Sequence, residues 1–253
     1  MRQLCMPAPA LDKQRKFLFN ASKGLIPCFN SLEGGKVLKN IAVACKTLQD
    51  EIMFVIRDLG IQYPVLWIES MQHNNPRQLK ECIQQQINLI GNVDNIILLF
   101  GNCGNAIQGL SSRESSIVFP RVDDCISLFL GGNRQKKELD SKGSAYYLTR
   151  GYLEGESNIW SEYLYCVSKY GEEKARKLMG IILKNYEKLS VIDTGAYVLE
   201  DILEHTKEIA AALKLRHTVV PGSLHLLYKA FQGKWDEDFN IVAPGESIDF
   251  YPL

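Results

Sequence analysis

Short apolar runs alternate with amphipathic stretches along most of this chain. Ile41–Ala44, Tyr63–Glu69, Asn95–Phe100, Ser116–Phe119, Ala145–Thr149, Leu189–Ile192 and His217–Val220 are each short, apolar and bounded by turn residues. That pattern fits strands buried in a sheet. Between them, apolar residues recur at helical spacing. Leu48, Ile52, Val55, Ile56 and Leu59 mark one helix, opened by Thr47 with Asp50 three places on and ended by Gly60. Asn75 before Pro76 opens a second helix, to about Ile90. Asp123 or Asp124 opens a third through Ile126, Phe129 and Leu130. Later helices are predicted over Asn158–Tyr170, Glu172–Glu187, Tyr197–Leu213 and from Ser223 to Phe231. The alternation predicts an α/β fold: a mostly parallel sheet with helices on both faces, built of Rossmann-like units as one long sheet or two packed halves. Residues 1–36, broken by prolines and glycines, read as an N-terminal extension. Residues 37–253 read as the α/β domain, with a sub-division near 135–155 around the charged loop NRQKKELDSKG.

Composition narrows the class. With 253 residues and 46% hydrophobic content, the chain can bury one sizeable core or two smaller ones packed together. The 29 basic and 29 acidic residues balance, which gives no electrostatic footprint for nucleic acid or an anionic membrane surface. No apolar run reaches the roughly 18–20 residues needed to span a bilayer. The N-terminus lacks an apolar core followed by a small-residue cleavage site, so a signal peptide is not expected. Seven cysteines, an odd number without dense spacing, point to reduced thiols in a cytoplasm.

Those cysteines carry the candidate chemistry. Cys45, Cys103 and Cys125 each follow the end of a predicted strand, and ligands of open α/β sheets bind beyond the carboxyl ends of the strands. They are the candidate metal ligands. Cys45 and Cys125 also fall near predicted helix N-termini, where amides and the helix dipole favour a thiolate. No CxxC pair occurs, which argues against a closed four-ligand zinc site. Three thiolates leave one position open, as in a catalytic zinc site or a [4Fe–4S] cluster with one open iron. Around Cys103, Gly101 and Gly104 allow close backbone approach to a ligand; with Asn105, Ser111, Ser112 and Arg113 they form a candidate binding loop for an anionic small molecule. Asp123, Asp124 and Arg150 are the candidate catalytic groups, the aspartates as acid, base or ligand-orienting partners. Cys82 and Cys166 lie within helices and read as core; Cys5 and Cys28 read as bystanders.

The segments IAVACKTLQDEI, CGNAIQGLSSR, PRVDDCISLFLGG and YYLTRGYLE together resemble a family of unknown function numbered 1638, over about residues 40 to 235. Other members carry IACGAL, DCGTGG, HCYEFFAG and FFLTDF, which align on Cys45, Cys103, Cys125 and Thr149. Asp124 stands where those members have histidine. The resemblance implies a setting among anaerobes and methylotrophs that move one-carbon units through corrinoid proteins, and no specific reaction. The expectation is therefore a metal- or iron–sulfur-binding protein with an open three-cysteine site, an enzyme or accessory factor of one-carbon metabolism with a corrinoid protein or methyltransferase as partner. The alternative is a non-catalytic module for small anions.

Overall fold

The computed structural model describes residues 31–33, 36–69, 75–155 and 158–249. Cys5, Cys28 and most of the N-terminal extension lie outside them. The described chain is α/β, with one mostly parallel five-stranded sheet and a second, parallel three-stranded sheet.

Strands β1 (Ser31–Glu33) and β2 (Lys36–Leu38) form an antiparallel pair. The first sheet starts with β3 (Asn40–Cys45), buried at every residue, followed by a 3-10 turn (Lys46–Leu48) and α1 (Gln49–Asp58). Next come β4 (Val65–Ile68), α2 (Pro76–Leu89), β5 (Asn95–Leu99) and β6 (Ser116–Pro120). Asn75 caps α2 as expected, its side chain accepting from the Gln78 amide at 3.2 Å. Thr47 does not cap α1. Leu48 occupies the N-cap without a side-chain bond, and the Thr47 hydroxyl turns instead to the Cys45 sulfur.

The strand order is β10-β6-β5-β3-β4, with β10 (Phe239–Val242) antiparallel to β6. The chain leaves β3 toward β4 on one side, then crosses back to place β5 on the other. Connections from the carboxyl ends of β3 and β5 thus diverge, opening a crevice between them. β10 lies in the mixed apolar and polar tail after Phe231; it is only four residues long and partly open to solvent, as suits an edge strand.

The charged stretch after β6 also differs from expectation. Following α3 (Cys125–Phe129), residues Asn133–Asp140 form helix α4 rather than a loop, with no buried residue. Its lack of an apolar stripe hid it, and ion pairs such as Lys136 to Asp140 along one face help support it.

The second sheet holds β7 (Ala145–Leu148), β8 (Lys188–Asp193) and β9 (Arg216–Pro221), all parallel. Between β7 and β8 lie α5 (Arg150–Leu153), α6 (Ile159–Tyr170) and α7 (Glu172–Ile182); α8 (Glu200–Leu213) precedes β9, and α9 (His225–Gln232) follows it. Two cores result, one around each sheet. The carboxyl edges of the two sheets meet at the first turns of α1. Arg150 of α5 pairs with Asp50, and Thr194, just past β8, donates to Glu51 at 3.1 Å.

One glycine makes that junction possible. A Cβ on Gly151 would lie 2.2 Å from the Thr47 carbonyl oxygen. Gly151→Ala must therefore push α5 off the 3-10 turn, at an expected cost of about 2–4 kcal/mol. Thermal denaturation should show a midpoint lower by at least about 5 °C.

Candidate functional site

Cys45 ends β3, while Cys103 and Cys125 follow β5 and β6, so all three stand at one edge of the first sheet. The loop after β5 turns sharply. Cys103, Gly104 and Asn105 have consecutive positive φ values of 45°, 69° and 68°. Left-handed backbone at two non-glycine residues is unfavourable and has to be held by its surroundings. Backbone bonds hold it here, from the Asn102 amide to Val122 O and from the Cys103 amide to Asp123 O, both 3.1 Å.

Gly101 brings the two loops together. A Cβ there would sit 2.3 Å from the Asp124 backbone. The close approach that this glycine permits is thus to the start of α3 rather than to a ligand. It places Cys103 and Cys125 with their sulfurs 3.7 Å apart. Gly101→Ala is expected to separate those sulfurs and to destabilise the fold by about 2–4 kcal/mol, read by denaturant titration.

The three thiols differ in environment. Cys125 is 1% exposed and occupies the first position of α3. Its pKa is lowered, chiefly by the hydrogen bond from Cys103, with help from the Gly101 amide 3.5 Å away and from the Tyr152 side chain, and against the cost of burial. Cys103, half-buried, is raised as the donor of that bond and by burial. Cys45 is fully buried and pushed up to about 12, first by burial and then by the charge on Cys125. The Thr47 hydroxyl 3.0 Å from its sulfur opposes this only in part. A helix N-terminus was expected to make Cys45 a thiolate; burial and the neighbouring charge outweigh that position. Tyr152 of α5 closes the group. Its hydroxyl is pushed up by burial and then by the charges of Cys125, Cys45 and Cys103.

Nearby basic side chains are engaged elsewhere: Lys46 by Glu69 at 3.0 Å, Lys136 by Asp124 at 3.2 Å and Arg150 by Asp50 at 2.7 Å. Beside Cys45, Lys46, Thr47, Asp50, Glu69, Gly151 and Glu154 line a cavity of about 320 Å³.

The remaining candidates scatter. Asp124 caps α3, accepting from the Ser127 amide and hydroxyl at 2.7 and 2.8 Å, besides its pairing with Lys136. Asp123 is exposed, and its amide donates to Asn133 Oδ1 at 2.9 Å. Arg150 stands near the cavity but grips Asp50 through two nitrogens and lies 5.5 Å from the centre of the Tyr197 ring. Asn105 accepts from Asn102 Nδ2 at 2.9 Å, and Gly104 packs against Pro76.

Ser111, Ser112 and Arg113 do not join the cysteines. After Cys103 the chain crosses back to the amino edge of the sheet before β6 begins. There the Ser115 hydroxyl donates to Val93 O at 2.8 Å, Ser112 Oγ accepts from the Ser115 amide, and Ser111 bonds Gln84 and bridges Ser247. Cys82, expected as a reduced core residue, is buried in α2 and disulfide-bonded, whereas Cys166 is half-buried in α6 and free.

A family model described as a protein of unknown function, DUF1638, matches residues 67–231. The chain belongs to the DUF1638 family. The DUF1638 match takes in Cys103, Cys125 and Tyr152 and leaves Cys45 outside. No curated protein and no solved structure matches the chain.

Two residues at the junction escaped the sequence reading. Tyr152 lies just past the expected strand Ala145–Thr149, with no motif to mark it. Glu51 is 0% exposed; it lies three residues after Leu48 and four before Val55, so its place on the apolar stripe of α1 was a visible signal.

Proposed function

We propose that this DUF1638 protein binds a soft metal centre through Cys45, Cys103 and Cys125: a zinc ion, or a [4Fe–4S] cluster with one open iron. The observation that carries the proposal is the 3.7 Å separation of the Cys103 and Cys125 sulfurs in a group with a third buried thiol. Two thiolates on one tetrahedral ion with bonds near 2.3 Å stand roughly 3.8 Å apart. Among the described residues, no three His, Cys, Asp or Glu side chains are already gathered to hold a metal ion. Cys45 must close on the other pair. The zinc reading fits the pair distance directly, while a cluster requires the sulfurs to spread.

The donor set suits such a centre. Charge on each thiol raises the cost of charge on the next, and the surrounding lysines and arginine are bound to carboxylates. A cation supplies the missing countercharge, as expected where thiolates serve as ligands. With three protein ligands the centre keeps one position for a substrate or water, where a bound ion can act as a Lewis acid. Tyr152 and the Gly101 amide orient Cys125, and Thr47 orients Cys45.

The family resemblance supports a place in anaerobic one-carbon metabolism, with a corrinoid protein or methyltransferase as partner, and the odd, widely spaced cysteines support a cytoplasmic location. Among the described residues no helix is long and apolar enough to cross a membrane.

Protein purified without oxygen tests the centre. Metal analysis and an absorption spectrum should show either stoichiometric zinc without colour, or iron and sulfide with a broad visible band bleached by dithionite. Protein that stays metal-free after anaerobic incubation with zinc, or with iron and sulfide, overturns the proposal.

A further inference from the structure

We propose that Cys103 and Cys125 are also a redox-active dithiol, which closes to a disulfide by exchange with a small disulfide when no metal holds the two sulfurs. Their sulfurs are 3.7 Å apart, and the backbones that carry them are already tied together by the bond from the Cys103 amide to Asp123 O. Forming a bond near 2.0 Å needs only side-chain rotation and a small approach of the two loops. Exposure assigns the order of events. Cys103 is half-buried and stands in a turn, so an external disulfide reaches it first; Cys125 is only 1% exposed.

Reaction with a small disulfide RSSR balances as follows. The Cys103 thiol gives its proton to water and its sulfur attacks one sulfur of RSSR, forming a mixed disulfide and expelling RS⁻, which takes up a proton from water. The Cys125 thiol likewise gives up its proton to water; its sulfur then attacks the Cys103 sulfur and expels the second RS⁻, which takes a proton from water. Two cysteines are oxidised by two electrons, and RSSR is reduced to two RSH. The Gly101 amide, 3.5 Å from the Cys125 sulfur, positions it for the second attack.

This activity needs no ion; a bound ion would block it, so it can fail or hold independently of the metal proposal. Chelator-treated full-length protein is incubated with glutathione disulfide, then alkylated and mapped by mass spectrometry without reduction. The expected result is the loss of two alkylatable thiols per chain and a cross-link joining Cys103 to Cys125. In Cys125→Ser the reaction should stop with one glutathione on Cys103, and in Cys103→Ser the cross-link should be absent. Cys166→Ser should behave as the parent protein. A parent protein that keeps both thiols, or a stable glutathione adduct on Cys103 with Cys125 intact, overturns the proposal. So does a cross-link that joins either residue to another cysteine. Circular dichroism of each serine variant separates a lost reaction from a lost fold.

Discussion

Alanine at Cys125 is expected to weaken metal binding by more than about 100-fold, and phenylalanine at Tyr152 by about 10–100-fold. The difference follows from what each residue does. Cys125 is the thiol whose charged form the fold already favours: the Cys103 thiol and the Gly101 amide lie within reach of its sulfur, and the Tyr152 side chain favours the same form. It is therefore a ligand the fold already prepares for a cation, and its loss leaves two ligands, one of which, Cys45, burial holds in its protonated form. Tyr152→Phe removes the hydroxyl that favours the charged form of Cys125 and keeps the ring, so the pocket stays filled while the sulfur loses part of that support. Competition against a chromophoric chelator at fixed pH measures both effects. Cys166→Ala, in α6 and half-buried, should leave binding unchanged. Equal affinities for the parent, Cys125→Ala and Tyr152→Phe proteins would remove these thiols from any metal site.

Much of the fold was legible because buried parallel strands announce themselves. Ile41–Ala44 and Asn95–Phe100 are continuous apolar runs, and both became central strands of the first sheet, β3 and β5. The placement of the three cysteines at one edge followed from the same rule, since parallel strands deliver their carboxyl ends together. What the sequence hid depended on long-range contacts or on surface. Helix α4 has no apolar face to betray it, and β10 is an edge strand with two half-open positions. The loop from Gly101 to Ser115 looked like one polar binding segment. Nothing local says that it must cross the sheet, yet parallel pairing of β5 with β6 requires the return, and that return divides its glycines from its serines. The second roles of Gly101 and Gly151 were equally invisible, since each is set by a backbone remote in sequence. The environment of Cys45 was misjudged for a related reason: helix proximity is a local feature, whereas burial and the charge of Cys125 come from the assembled fold.

Stability of the protein should fall by about 3 kcal/mol as pH rises from about 4.5 to above 7, and Glu51→Gln should abolish that component. Glu51 is fully buried where α1 meets the end of β8. Burial, the largest influence, raises its carboxyl from 4.5 to about 7, and the hydrogen bond from Thr194 offsets this only in part. Its second oxygen, Oε2, is buried with no hydrogen-bond partner. A buried carboxylate with one unpaired oxygen is costly, so the folded state prefers the neutral acid. The sign follows. Between the two pKa values the folded chain holds a proton that the unfolded chain has released. Raising pH therefore favours unfolding across that window, and the loss levels off once the folded group has also ionised. Glutamine keeps the shape and the oxygen that accepts from Thr194, and it cannot ionise. Denaturant titrations at about pH 5 and pH 8 should show the parent less stable at the higher pH and the variant nearly level over this contribution. The variant should also be the more stable protein at the higher pH. Because the carboxyl joins the two sheets through Thr194, hydrogen exchange in the parent should quicken with pH most strongly around α1 and the segment after β8, beyond the intrinsic rise seen in the variant. An unchanged pH dependence in Glu51→Gln would mean that the carboxyl is ionised and paired in the folded protein.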